Sequence, residues 1–142
     1  MPRPRIPIRL RRLVLQRAGQ RCEYCLLHQD DRPESHEVDH ILALKHRGLT
    51  VSENLALACA RCNNNKGSDL SSTDPLTGGI VLLFHPRTQR WRDHFVAENE
   101  RINGLTATGR ATVELLRLND PLQIEQRKVS IAAGQYPPPE FI

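Results

Sequence analysis

The chain has 142 residues, of which 39% are hydrophobic and 25% charged. These values allow one domain with extensions and exclude both wholesale disorder and a membrane protein. The longest strongly apolar run covers residues 80–84, far short of a membrane span. The basic N-terminus is not followed by an apolar segment, so we expect no secretory signal and a cytoplasmic location.

The positive charge is concentrated at the front of the chain. Residues 1–21 hold seven arginines and no acidic residue, whereas the 13 basic and 16 acidic residues of 22–142 sum to −3. Arginine is well shaped for bidentate phosphate contacts. The pattern indicates an anionic partner, with nucleic acid first and acidic lipid second, and a solubilising tail is the plainer alternative.

The first half of the chain predicts short elements. Alternating prolines prevent a regular helix at 2–7, so this segment is interpreted as a flexible basic arm. Residues 8–18 predict a helix with Leu10, Leu13 and Val14 on one face. A polar loop at 28–35, a strand at 36–44, a compact apolar segment at 54–59 and a short helix within 61–70 follow.

The second half predicts three strands, at 80–84, 90–96 and 101–105, and then two helices. Thr108 is the expected cap of a helix at 109–118, which Pro121 ends, and residues 122–132 form the second helix. Residues 136–139 are expected to be extended. Trp91 and Phe95 are predicted to share a strand face in the core, and His85 and His94 are interpreted as structural.

Four cysteines form two identical pairs, Cys22-x-x-Cys25 and Cys59-x-x-Cys62. Each pair can grip one metal ion, and four sulfur ligands suit tetrahedral zinc in a closed, structural site. The 33 residues between the pairs must then hold a structural unit of their own. Disulfides and a thioredoxin-like redox site are the alternatives, and the first needs an oxidising compartment.

The region between and just beyond these pairs resembles the HNH endonuclease family. The resemblance rests on Cys22-Glu-Tyr-Cys25, Val38-Asp-His-Ile41, Asn54-Leu-Ala-Leu-Ala-Cys-Ala-Arg-Cys-Asn63 and Lys66-Gly67, within about a third of the chain. It implies an α+β fold with a ββα-metal core stapled by zinc. The expected organisation is a basic arm and helix at 1–21, a nuclease core at 22–72, and a hairpin and helical extension packed on the core at 73–142.

The resemblance also implies phosphodiester hydrolysis with named roles. His40 is the expected general base, because an imidazole near its ordinary pKa accepts a proton at neutral pH. Asp39 and Asn63 are expected to hold catalytic Mg²⁺ or Mn²⁺ through oxygen. Asn54 would orient the loop that bears His40, and Lys66 would reach the phosphate. Asn63 stands where the family name has histidine, which leaves the metal preference open.

DNA is the expected substrate, RNA is not excluded, and cleavage would leave a 5′-phosphate and a 3′-hydroxyl. No membrane partner is expected, and the oligomeric state is left open. Two other hypotheses stand: a zinc-dependent nucleic-acid-binding module without catalysis, and an adaptor that docks through its C-terminal helices. The residues predicted to contact nucleic acid are Arg3, Arg5, Arg9, Arg12 and Arg61.

Overall fold

The computed structural model describes residues 5–141, which fold as a mixed α+β structure, as predicted. Within that range, three small antiparallel sheets of two strands each alternate with helices. No helix between residues 5 and 141 has the length and apolar character needed to cross a bilayer. In chain order the elements are α1 (Ile8–Arg17), β1 (Glu37–His40), β2 (Leu55–Ala58), α2 (Ala60–Lys66), β3 (Ser71–Thr73), β4 (Ile80–Leu82), α3 (Trp91–His94), β5 (Phe95–Glu98), β6 (Arg101–Gly104), α4 (Ala107–Leu116) and α5 (Pro121–Ala132).

The two strands β1 and β2 and the helix α2 form one unit. Asp39 pairs with Ala56 and His40 with Leu55 across the sheet. Because side chains alternate along a strand, Asp39 lies on the face toward α2 and His40 on the opposite face. Strand β1 ends at His40, four residues before the end of the strand predicted at 36–44, and the chain after His40 forms a loop.

Helix α1 covers the face of this sheet that lies opposite α2. Val14 is buried against Leu55 and Leu57, and Leu10 packs beside it. The buried stripe thus follows a spacing of four residues along the helix. Leu13 falls outside this stripe and is 42% exposed, so its predicted place on the buried face is wrong. Ile6 is buried in the same cluster, so the proline-rich segment is anchored at this residue.

A second and larger core joins the cysteine pairs to the C-terminal half. Trp91 and Phe95 belong to it, as predicted, with ring centroids 5.1 Å apart. Trp91 begins a helical turn, and residues four apart lie on the same side of a helix, so Phe95 is brought beside it. The predicted strand at 90–96 is therefore wrong: Trp91–His94 is helical and β5 begins at Phe95. The Trp91 indole donates to the carbonyl of Tyr24 at 2.9 Å.

Several element ends differ from prediction. Thr106 rather than Thr108 caps α4, because its hydroxyl accepts from the amide of Gly109 at 3.0 Å. Pro121 opens α5 rather than merely ending α4, as proline suits the first helical turn. Strand β3 is polar and exposed, which is why no apolar pattern predicted it. Residues 139–141 form a short 3-10 turn, which overlaps the segment predicted to be extended, 136–139, only at its last residue.

Candidate active site and metal centre

The four cysteine side chains meet inside the larger core, and all four are buried. Their sulfur atoms lie within 4.8 Å of one another. In each pair the amide of the second cysteine donates to the sulfur of the first, at 3.4 Å in both cases. These contacts shape each Cys-x-x-Cys turn so that two sulfurs face one point.

The sulfur cluster fits a tetrahedral metal ion better than a pair of disulfides. The sulfurs of Cys25 and Cys59 are 3.7 Å apart. Sulfurs around a tetrahedral zinc ion, each about 2.3 Å from it, lie about 3.8 Å from one another, whereas a disulfide bond measures about 2.05 Å. Burial raises the pKa of the Cys22 thiol, while neighbouring thiols lower that of Cys59. Several thiolates buried together need a cation, so the four cysteines are arranged to bind a metal ion.

A buried glutamine from the extension contacts this cluster. Gln123 of α5 directs its side-chain nitrogen at the Cys62 sulfur, at 4.0 Å, and its oxygen accepts from Arg32 at 3.1 Å. The amide therefore links an arginine to the sulfur cluster. This residue was not predicted, since no motif or spacing joins residue 123 to the cysteine pairs.

Asp39 forms a buried ion pair with Lys66 on the α2 side of the sheet. The Lys66 ammonium lies 3.0 Å from the Asp39 carboxylate and 3.3 Å from the carbonyl of His40. Lys66 is 2% exposed and Asp39 8% exposed. The sequence predicted only a phosphate contact for Lys66 and gave no sign that its side chain is buried. The helix carries Lys66 inward because Asp39 offsets the cost of burying its charge.

His40 ends β1 with its half-buried ring on the other side of the sheet. Its Nε2 lies 2.9 Å from the hydroxyl of Thr50, which belongs to the loop between β1 and β2. Asp39 and His40 thus occupy opposite faces at one strand end, because consecutive side chains of a strand alternate. Thr50 was not singled out from the sequence, because a lone threonine in a loop carries no signal.

Asn54 holds together the loop that follows His40. Its side-chain oxygen accepts from the amide of Leu42 at 2.8 Å, and its nitrogen donates to the carbonyls of Leu42 and Leu49 at 3.0 and 2.9 Å. The backbone of Asn54 also accepts from the amide of Ile41 at 2.8 Å. An amide side chain is suited to this position because it supplies a donor and an acceptor together.

Gly48 lets this loop close. A side-chain carbon at position 48 would lie 1.7 Å from the Leu42 carbonyl oxygen and 2.9 Å from the Asn54 amide nitrogen. We therefore expect Gly48→Ala to displace the loop and to lower the free energy of unfolding by about 1–3 kcal/mol, as overpacking does. Urea unfolding measures the effect. Gly79→Ala is the matched control, because its new carbon meets Thr77 at an ordinary 3.4 Å; equal losses in both variants would contradict the close approach.

Asn63 and Lys66 share one face of α2, three residues apart. The Asn63 side-chain nitrogen lies 3.4 Å from the Glu37 carboxylate. Glu37 and Asp39 are two residues apart on β1 and face the same way. Two carboxylates of β1 and the Asn63 side chain of α2 therefore lie on the facing sides of the strand and the helix, and carboxylate and amide oxygens are the ligand type that Mg²⁺ and Mn²⁺ prefer. Glu37 was not predicted as part of this group.

The arginines divide into structural and exposed ones. Arg17 donates to the carbonyls of Ser52 and Leu55, and Arg21 to those of Leu26 and Gln135. These two side chains stabilise the backbone around the core. The predicted contact residues Arg5, Arg9 and Arg12 are exposed, and Arg3 lies outside the described residues.

Arg61 was also predicted to contact nucleic acid. It donates to Asp120 at 2.5 Å, and Asp120 caps the N-terminus of α5. The pair joins α2 to α5. A phosphate contact by Arg61 stays a prediction, and it requires exchange of the Asp120 carboxylate for a phosphate.

Comparison with known proteins agrees with this geometry. Residues 22–69 match the family model described as HNH endonuclease. The match begins at the first metal-binding cysteine and ends just after Lys66. It includes both strands of the first sheet and the whole of α2.

One curated relative is the Septu protein PtuB of Bacillus thuringiensis. The chain is 29% identical to it over 108 residues, which are 75% of this chain and 39% of that protein. The chain thus spans about two fifths of the length of that relative. No solved structure matches the chain.

Proposed function

We propose that the protein is a metal-dependent endonuclease that hydrolyses phosphodiester bonds of DNA. One observation carries the proposal. The hydrogen bonds of Asn54 fix the loop beside His40, and on the opposite face of β1 Asp39 pairs with Lys66 while Asn63 approaches Glu37. A candidate base for water and candidate cation ligands thus lie on one short strand and the helix beside it, and these two components support the proposal because hydrolysis of an anionic ester requires both.

His40 takes the proton from the attacking water in this proposal. The new bond forms between the water oxygen and phosphorus, and the bond from phosphorus to the 3′-oxygen breaks. Thr50 holds the imidazole at Nε2, and Asn54 holds the loop that carries Thr50. Such positioning is what lets a general base act on a water molecule.

Asp39 and Asn63 are the residues that would hold the catalytic Mg²⁺ or Mn²⁺. The ion would neutralise charge that develops on the leaving 3′-oxygen. Lys66 already offsets the Asp39 charge, and with a cation at Asp39 its ammonium becomes available to a phosphate oxygen. The buried pair thus keeps the carboxylate from repelling the substrate.

A plasmid assay tests this function. Purified protein that retains its structural metal is incubated with supercoiled DNA, with Mg²⁺ or Mn²⁺ either added or omitted. Omission is preferable to chelation, because a chelator would also compete for the cysteine-bound ion. We expect nicking in the presence of the added ion. A preparation with intact structural metal that leaves the plasmid supercoiled in both ions would contradict the proposal.

The proposed ion of the cysteine site is zinc, and Gln123 is expected to tune its affinity. We expect Gln123→Leu to weaken zinc binding by about tenfold, since the hydrogen-bond partners of metal ligands contribute 10- to 100-fold. Titration against a competing chromophoric chelator measures the change. Gln126→Leu, on the same helix, is the matched control. Equal zinc affinities in the two variants would contradict a role for Gln123 in zinc binding.

The exposed arginines of the N-terminal segment are expected to bind the DNA backbone. Replacing Arg9 and Arg12 with alanine should weaken binding and reduce the slope of log affinity against log salt by about 1.8, or roughly 0.9 per lost contact. Fluorescence anisotropy at several salt concentrations gives this slope. Lys128→Ala removes one charge from an exposed site on α5 and should have no effect. An unchanged slope in the double variant would show that these arginines make no phosphate contacts and would favour their alternative role as solubilising groups.

One observation favours a second candidate, a zinc-dependent module that binds nucleic acid without cutting it. The Asp39 carboxylate is already paired with Lys66 in a buried place, which suits a site that holds no catalytic ion. The plasmid assay separates the two functions. For either one we propose a cytoplasmic location, since four thiols held ready for a metal suit a reducing compartment.

A further inference from the structure

A cavity of about 330 Å³ lies between the HNH core and the extension. Ile41 and Leu42, which follow His40, line one side, and Leu82 and Leu83 line another. Lys66 lies at its border together with His85. Because Lys66 also contacts Asp39 and the His40 carbonyl, the cavity adjoins the proposed catalytic residues. A larger cavity, of about 450 Å³, is lined by Arg21, Trp91 and Phe141, and none of the proposed catalytic residues borders it.

His85 is held in one tautomer by the turn that follows it. Its Nδ1 accepts from the amides of Arg87 and Thr88, at 3.2 and 3.3 Å. The neutral ring therefore carries its proton on Nε2 and offers a hydrogen-bond donor there. Burial lowers the pKa of His85, and the charge of Lys66 acts in the same direction, which keeps the ring neutral near pH 7.

The walls of the cavity are fixed in place. The amide of Leu83 donates to the carbonyl of Leu70 at 2.9 Å, and that of Phe84 donates to the Thr112 hydroxyl at 3.0 Å. Beyond β3, the buried Asp74 accepts two hydrogen bonds from Arg110 of α4, both at 2.9 Å. The hairpin that supplies Leu82 is thereby tied to the helix beneath it.

The chemistry of this cavity suits one nucleotide. Lys66 and His85 are both hydrogen-bond donors, and phosphate oxygens are acceptors that bear negative charge. The aliphatic walls suit a base or sugar, and Asp69, which also lines the cavity, can accept from an exocyclic amino group. The volume is at the lower end of small-molecule sites, which span about 300–1,000 Å³. It has room for one nucleotide and not for stacked base pairs.

We propose that this cavity receives an unpaired nucleotide next to the scissile phosphate, with His85 and Lys66 binding its phosphate and the hairpin residues Leu82 and Leu83 covering its base. The proposal rests on the proposed nuclease function. It implies that the substrate strand is single-stranded or has an extruded base at this point. The extension is then a part of the substrate site, and the preferred substrate is a single-stranded or locally unpaired region of DNA.

Two variants separate the cavity from the catalytic residues. His85→Asn keeps a side-chain acceptor for the turn amides, as asparagine does in such turns, but removes the Nε2 donor. Leu82→Trp obstructs the entrance from an exposed position, since Leu82 is 70% exposed. Ile80→Trp is the matched control, because Ile80 lies two residues earlier on the same strand face, is 80% exposed and does not line the cavity.

Binding is measured in the zinc-loaded full chain carrying His40→Ala, so that the probes stay intact. The probes are a short fluorescein-labelled single-stranded DNA and a hairpin duplex of the same sequence. We expect tighter binding of the single strand, and a loss of about tenfold in both cavity variants, in line with one hydrogen bond to a charged group. Ile80→Trp should bind like its parent.

The possible results test the cavity proposal and the nuclease proposal separately. If single-strand affinity is unchanged in both His85→Asn and Leu82→Trp, the cavity proposal is overturned, even if the wild-type protein nicks plasmid. If the parent prefers the duplex, the proposal also fails. A selective tenfold loss supports the cavity even if the plasmid assay shows no cleavage, in which case the nuclease proposal fails alone.

Discussion

Replacement of Cys59 by serine is expected to give a chain that neither binds zinc nor folds. Cys59 caps α2 through its sulfur and lies at 3.7 Å from the Cys25 sulfur. Structural zinc contributes about 10–16 kcal/mol in zinc-finger peptides, which is comparable to the whole stability of a domain, about 5–15 kcal/mol. Loss of the site should therefore remove the metal and the larger core together.

The core makes this effect large. All four cysteines belong to the same buried cluster as Phe84, Phe95 and Ile102. Elemental analysis of the purified variant and far-ultraviolet circular dichroism measure the two losses. Ala60→Ser is the matched control, because it places a hydroxyl one residue further along, at the first position of α2. A Cys59→Ser chain that melts like wild type would contradict a structural role for the metal.

Replacement of His40 by alanine is expected to lower the rate of plasmid nicking by about 10²- to 10⁴-fold, the usual contribution of a general base. The fold should survive, because the ring is only half-buried and its hydrogen bond to Thr50 joins it to a loop rather than to the core. DNA binding should also survive, since the exposed arginines and Lys66 are unchanged. The loss should therefore appear in the rate of cleavage and not in the affinity.

The exposed His46 in the same loop is the control for this variant. His46→Ala should nick at the wild-type rate, which would show that the loss of a nearby histidine does not by itself slow cleavage. Thermal melting of both variants confirms that they are folded. Equal rates in His40→Ala and wild type would remove His40 from the mechanism and favour the non-catalytic module.

The elements with a strong local signal were predictable from the sequence. The spacing of apolar residues predicted α1 to within one residue at its end, and the compact apolar segment predicted at 54–59 contains the buried strand β2. The errors arose where tertiary contacts decide the structure. Trp91 and Phe95 fit either a strand or a helical turn, and the stacking of their rings selects the turn. The polar strand β3 forms because β4 pairs with it, and no sequence pattern of its own predicts it.

The candidate site likewise contains residues that motif spacing predicted and residues whose positions depend on tertiary contacts. Motif spacing predicted the cysteine cluster, because metal binding requires fixed residue types at fixed intervals. It also identified Asp39, His40 and Asn54, which the fold brings to one strand end. The spacing did not predict the buried state of Lys66, since that depends on Asp39 across the gap between β1 and α2. Gln123 lies in another element, and its contact with Cys62 follows from the docking of α5.

The central claim is that His40 acts as the base of a DNA-cleaving site, and imidazole rescue tests it most directly. His40→Gly removes the side chain and leaves space for a free imidazole beside Thr50. We expect the variant to have lost plasmid nicking in Mg²⁺ or Mn²⁺ and to regain it in part as imidazole is added, while wild type is unaffected. A His40→Gly protein that nicks plasmid at the wild-type rate without imidazole would contradict the claim.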